Sequence, residues 1–252
     1  MQNTLLVGLS RQMALGREMD VVANNIANMD TTGYKADGSL FEEYLNSSAR
    51  AGGVNNSRVS FVLDRGIWHD MSQGPIQRTG NPLDVAVDGN AFLVVQTASG
   101  ERYTRNGALK INATGQLVTA DGDPVLGDAG PINFQSTDNQ VSISRDGTIS
   151  VREGNSKTDS ARGKLRLVTF DNLQQLQKDG GGKFNVTGNA QPQPATNAGI
   201  TQGAVEKSNV RSVVEMSRMI EITRSYTQIA SLLQQQSDLG QTALDKLADT
   251  PA

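Results

Sequence analysis

The chain has 252 residues, 37% of them hydrophobic and 4% aromatic, with 26 glycines, a single Trp and no Cys. Its formal net charge is −3 with no run of Lys or Arg, so the basic footprint of a nucleic-acid-binding surface is missing. The lack of cysteine excludes disulfides, thiolate nucleophiles and Cys-ligated metals, while the length allows one large domain or two ordinary ones.

The first residues, Met1 to Leu9, lack the basic start and continuous apolar stretch of a cleaved secretory signal, and no segment approaches the roughly 20 apolar residues of a membrane span. A soluble chain, or one exported by a leaderless route, is expected. From Leu5 to Asn28 there is no proline, and Leu5, Leu9, Met19, Ala23 and Ile26 fall on a three-four spacing completed by Gln12 and Gly16. That spacing predicts a helix with a narrow apolar seam. Alone in water such a seam buries too little to offset the entropy of ordering, and Gly8 and Gly16 weaken the helix further.

Residues 45–57 read as a loop, and so do residues 179–203 with their Gly180-Gly181-Gly182 run and Pro192 and Pro194. Between them, turn pairs such as Asp88-Gly89, Asn106-Gly107, Asp121-Gly122 and Asp146-Gly147 punctuate short apolar runs. The strands predicted there are 83–87, 92–97, 107–111, 116–119, 141–144, 148–151 and 164–170, which suggests a sandwich or barrel. A second proline-free stretch, Ser208 to Leu247, repeats the narrow seam in Met219, Ile222, Tyr226, Ile229 and Leu233, with Ser208 or Asn209 as candidate N-cap. The opposite face alternates charges in Arg211, Glu215, Arg218, Glu221 and Arg224. The expected class is α+β: terminal helices forming a coiled-coil-like pair around a β-rich sandwich or barrel. The expected division is a helix over 1–30, a connecting segment over 31–75, the β-rich domain over 76–203 and a helical end over 204–252.

A search for chemistry finds little. His69 is the only histidine and no Gly-x-Ser-x-Gly elbow accompanies it, so it reads as structural or simply exposed. Gly182-Lys183 lacks the remaining positions of a phosphate loop, with Gln177 and Phe184 where Gly and Ser or Thr belong. Asp121, Asp123 and Asp128 are interrupted by Pro124 and read better as turn formers than as calcium ligands. No catalytic residue, cofactor or metal is expected.

Four segments together resemble the flagellar rod and hook family. They are Ala23-Asn24-Asn25-Ile26-Ala27-Asn28 with Thr32-Gly33-Tyr34-Lys35; Thr79-Gly80-Asn81-Pro82-Leu83-Asp84-Val85-Ala86-Val87; Tyr103-Thr104-Arg105-Asn106-Gly107 with Gly115-Gln116-Leu117-Val118-Thr119; and Gly203-Ala204-Val205-Glu206-Lys207-Ser208-Asn209-Val210. The length suits the two rod members that carry a middle domain, and the stretch Pro124 to Ile132 reads closer to the proximal of the two. The resemblance implies a non-enzymatic subunit of the bacterial flagellar basal-body rod. It further implies export through the flagellar type III apparatus without leader cleavage and assembly into the drive shaft across the periplasm. The implied partners are copies of itself and neighbouring rod proteins, with no nucleic acid and no small-molecule substrate. Assembly contacts are expected from Leu5, Leu9, Met19, Ala23, Asn24, Asn25, Ile26, Asn28, Gly33, Ser208, Asn209, Val210, Met219, Ile222, Tyr226, Ile229 and Leu233. The alternatives are another axial member of distal-rod or hook type, and a sugar-binding β-sandwich with helical extensions.

Overall fold

The computed structural model describes the backbone of residues 2–50, 58–154 and 158–248, and their side chains apart from 2–5, 42–50, 58–65, 243–245 and 247–248. The chain divides into two compact units. One comprises Met1–Ala27, Asp37–Trp68 and Arg211–Ala252, the other Asn28–Ala36 and His69–Val210.

The first unit holds helix α1 (Gln2–Ala27), strands β1 (Asp37–Arg50) and β2 (Arg58–His69), which pair as a two-stranded sheet, and helix α2 (Ser212–Ala248). The helices run antiparallel: Gly8 lies beside Leu233, the Glu18 carboxylate takes the Arg218 guanidinium at 2.7 Å, and Asn25 donates to Glu215 at 3.3 Å. Glycine at position 8 permits the close approach, because a Cβ there would stand 2.7 Å from Leu233 Cδ2. The seam buries Val22 and Ile222 almost completely, and half-buries Met19, Ile26, Met219, Tyr226, Ile229 and Leu233. It covers one stripe of each helix only. Leu6, Leu9 and Met13 on α1 and Val213, Met216 and Ile220 on α2 remain open to solvent.

The second unit is built on antiparallel strands. Its largest sheet has six, in the order 176–178, 183–186, 100–104, 92–97, 167–169 and 193–194. Among the described residues, a three-stranded sheet, 138–143 with 148–153 with 159–164, and four short pairs complete it. Phe92, Leu93, Val94 and Val95 are all within 2% of full burial, because both faces of this strand are covered. Leu93 and Val95 pack with Val85, Val87, Leu117, Ile149 and Leu165 on one side. Phe92 and Val94 pack with Tyr103, Phe170, Leu176 and Phe184 on the other, where Phe92 meets Phe184 and Phe170 edge-on at centroid distances of 5.7 and 6.0 Å. Truncating one of the Leu, Ile or Phe side chains among these to Ala removes about 2–5 kcal/mol.

Several expectations change. Within the expected loop at 45–57, residues 45–50 belong to β1 and residues 51–57 lie outside the described residues; β2 draws on the β-branched and aromatic run Val59, Phe61, Val62, Ile67 and Trp68. The expected loop at 179–203 contains strands at 183–186, 193–194 and 199–202: the first pairs with 176–178 and 100–104, the second with 167–169 and the third with 85–88. Ala204–Glu206 is a strand paired with Ile76–Arg78, so the last helix begins only at Ser212. Ser208 and Asn209 therefore do not cap it; the Ser208 hydroxyl accepts the Val210 N–H instead. On α1 the seam passes through Gly8 and Val22, and Leu9 and Ala23 are exposed, because 3.6 residues per turn carry those two positions off the covered stripe. The side chain of Leu5 lies outside the described residues.

Candidate assembly site

Three segments that stood out in the sequence meet in the second unit. Thr31 to Tyr34 form a turn in which Thr31 N–H reaches Asn28 O and Tyr34 N–H reaches Thr31 O. Gly33 adopts φ +70° and donates to Glu206 O at 2.7 Å, and a Cβ there would stand 2.5 Å from the Arg105 carbonyl carbon. Only glycine fits that position. The turn delivers Lys35 into the interior, where it is 1% exposed.

There Lys35 Nζ donates to Glu206 Oε1 and to Ser72 O, both at 2.6 Å. Arg105 Nε donates to Glu206 Oε2 at 2.8 Å, and its outer nitrogens donate to the carbonyls of Gly89, Ala91 and Val87. Gly74 N–H adds a 2.9 Å bond to Glu206 Oε1. Glu206 and Arg105 are 0% and 2% exposed. Two buried cations thus share one buried carboxylate. Burial pushes the Lys35 ammonium below its ordinary value, against the opposing pull of Glu206. Lys178 closes the outside, its Nζ lying 3.8 Å from the Tyr34 ring centroid and donating to Lys35 O at 2.6 Å.

Beside the cluster, Asn209 gathers the chain. Its Oδ1 accepts Ala36 N–H at 2.7 Å, its Nδ2 donates to Asp70 O at 2.8 Å and Ser72 O at 3.1 Å, and its own N–H reaches Tyr34 O. The chain passes between the units after Ala27, Ala36, Trp68 and Val210, and Asn209 joins residues next to three of those crossings. With each side-chain nitrogen and oxygen of Lys35, Arg105, Glu206 and Asn209 bonded inside the protein, this arrangement holds backbone; it presents no nucleophile and no acid-base pair to a substrate.

The expected assembly residues separate into groups. Gly33, Ser208 and Asn209 belong to this knot, and Val210 closes it. Asn25, 1% exposed, bonds the Asp37 backbone through both side-chain atoms, accepting at 2.9 Å and donating at 2.8 Å, whereas Asn28 accepts the Thr31 hydroxyl. Asn24 lies exposed on α1. Met19, Ile26, Met219, Ile222, Tyr226, Ile229 and Leu233 lie along the helix pair, and Leu9 and Ala23 do not join them. Lys35, Arg105 and Glu206 went unselected. Their signal was a lone charge, Lys35 and Arg105, in two of the segments already singled out, and in a third the single acid, Glu206, following the apolar Ala204 and Val205. Elsewhere, Asp121 and Asp123 take the Lys183 ammonium at 3.0 and 2.6 Å, and His69 meets the edge of Phe184. No group of three or more metal-ligating side chains forms among the described residues.

Comparison with known proteins finds three family models along the chain: flagella basal body rod protein at residues 5–35, flagellar hook protein FlgE/F/G D1 domain at 86–151, and flagellar basal body rod FlgEFG protein C-terminal at 201–246. The flagellar basal-body rod protein FlgF of Caulobacter vibrioides is 40% identical over 248 residues, 98% of each chain. FlgF of Mesorhizobium japonicum is 33% identical over 252 residues, again 98% of each. A FlgG of Buchnera aphidicola is 35% identical over 228 residues, 82% of this chain and 85% of its own.

Proposed function

Because the chain belongs to the flagellar basal-body rod protein family, resembling its FlgF members over nearly the whole length, we propose that it polymerises through α1 and α2 while the second unit serves as a preformed block. As a family member it is a structural component of the flagellar basal body, acting with other rod components and catalysing nothing. The observation that carries the polymerisation reading is the helix pair itself. Its seam is a single stripe, and the apolar residues left on the outer sides, Leu6, Leu9 and Met13 and Val213, Met216 and Ile220, are those a neighbouring helix would cover.

In this reading the two helices pair in a coiled-coil-like way, copies of the chain and adjoining rod proteins supply the remaining cover, and the assembled rod spans the periplasm. The chain travels through the flagellar type III apparatus unfolded and without leader cleavage, and the helices order fully on assembly. The knot around Asn209 then holds the backbone on either side of the helices to one place in the block.

The test is complementation of swimming in a flagellated bacterium lacking its own copy. Ile222→Asp, which puts a charge into the seam, abolishes swimming and removes the chain from purified basal bodies, while Ile222→Leu restores both. Normal swimming with Ile222→Asp overturns the reading.

A further inference from the structure

The second unit is completed by the part of it that comes last in the chain. Residues 199–202 pair with 85–88 and residues 204–206 with 76–78, strands that precede them by about a hundred residues or more and have no other ladder partner among the described residues. Gly203 stands between the two at φ +73°, and its carbonyl accepts the N–H groups of Thr79 and Gly80 at 2.8 and 3.1 Å. One left-handed residue thus carries the chain from the first open edge to the second. Beyond it Glu206 is the counter-charge of both Lys35 and Arg105, its carbonyl takes Gly33 N–H, and Asn209 takes Ala36 N–H. Ile200, Ala204, Val205 and Glu206 are all buried, and Ile200 belongs to the same core cluster as Val85, Val87 and Ile149.

Without this segment two buried cations lack their anion, two strands lack their partners and the core is open on one side. The preceding residues have nothing local with which to offset those losses, because a β pairing of this range repays its loop closure only when the far strand is present. We infer that residues 199–209 are a closing strap, and that the rest of the second unit does not hold its folded state until they arrive. Synthesis runs from the N-terminus, so the unit stays open until residue 209 has left the ribosome, and only α2 and the residues after it remain to follow. That is the state an export route for unfolded chains requires, and this consequence rests on the export reading above. The closing itself does not.

The test is fragment exchange on the full chain. A protease recognition sequence inserted between Thr196 and Asn197, both exposed, lets the folded protein be cut once, just before the strap. The cut protein is expected to elute as one species with the β-sheet circular-dichroism signal of the uncut chain. After separation in urea the larger piece alone recovers neither that signal nor a cooperative urea transition, and adding the smaller piece restores both. A synthetic peptide of residues 197–210, which lacks α2, restores the signal as well, and its Glu206→Gln form needs at least about tenfold more peptide to do so. If the insertion itself unfolds the chain, a chain ending after Thr196 takes the place of the larger piece and is tested with the same peptides. Refolding of the larger piece alone overturns the proposal, as does failure of the wild-type peptide to restore the signal, which would put the requirement in α2 or elsewhere. Equal potency of the two peptides overturns it too. None of these outcomes depends on polymerisation, so the helix reading fails separately, through Ile222→Asp.

Discussion

Replacing Glu206 by Gln tests the buried cluster most sharply. The substitution keeps the volume and one carbonyl oxygen but removes the only carboxylate between Lys35 and Arg105, both nearly inaccessible to water. Two buried like charges are then left without a counter-charge, and breaking a buried pair in this way costs about 3–5 kcal/mol. For a chain of this size, with a urea dependence of about 2–3 kcal/mol per molar, the midpoint falls by about 1.5 M. Lys35→Met supplies the internal comparison. It leaves Glu206 paired with Arg105 and still bonded to Gly74, and Ser72 O retains Asn209 as donor, so its cost is less than half as large. The assay is urea unfolding of the purified full chain, followed by its β-sheet circular-dichroism signal. A loss with Glu206→Gln that is below about 1 kcal/mol, or no larger than that with Lys35→Met, refutes the assignment of the cluster as a charge-balanced anchor.

Asn209→Ala removes four side-chain hydrogen bonds and leaves Ala36 N–H without its partner; a loss of about 2–3 kcal/mol by the same urea assay is expected, and Asn209→Asp, unable to donate to Asp70 O, recovers only part of it. Gly33→Ala lowers stability by more than about 2 kcal/mol, since it adds a backbone clash to the left-handed strain, while Gly80→Ala, at φ +76° in open space, costs only about 1 kcal/mol. Equal losses at the two glycines would show that the close approach of Gly33 to Arg105 is unimportant. The lowered Lys35 value gives a pH signature. Between that value and the ordinary 10.5 the unfolded chain binds the extra proton, so this residue's contribution to stability rises with pH through that window and is flat below it. Urea midpoints of wild type and Lys35→Met at about pH 8 and about pH 10 check this, and a difference that stays constant contradicts it.

What was readable beforehand depended on the range of the interactions involved. The run Phe92 to Val95 announces a strand because it is apolar on both faces, and it is buried on both. The turns at Asp88-Gly89, Asp121-Gly122 and Asp146-Gly147 carry their signal locally, and their glycines adopt φ of +84°, +96° and +87°. The strand 199–202 does not, because its partner at 85–88 lies about a hundred residues away and its own composition is that of a loop; 183–186 pairs with 176–178 as well as with 100–104, and the Gly180-Gly181-Gly182 run that joins that hairpin carries the composition of a loop. The helices were visible as proline-free stretches, yet the α1 stripe was read along Leu9 and Ala23 instead of Gly8 and Val22, since a glycine that matters through close approach leaves no hydrophobic trace. The ion cluster was least legible. Lys35, Arg105 and Glu206 each look like surface charges in isolation, and only the fold brings the two cations within 3 Å of the one carboxylate.

The central claim, a self-sufficient block carrying helices that serve assembly, is met most directly by a chain ending after Val210, expressed in a flagellated bacterium lacking its own copy and also purified. The account predicts that the purified protein keeps the β-sheet circular-dichroism signal of the full chain, while purified basal bodies lack it and the cells do not swim. Entry of the truncated chain into basal bodies, or collapse of its β signal, would contradict the account.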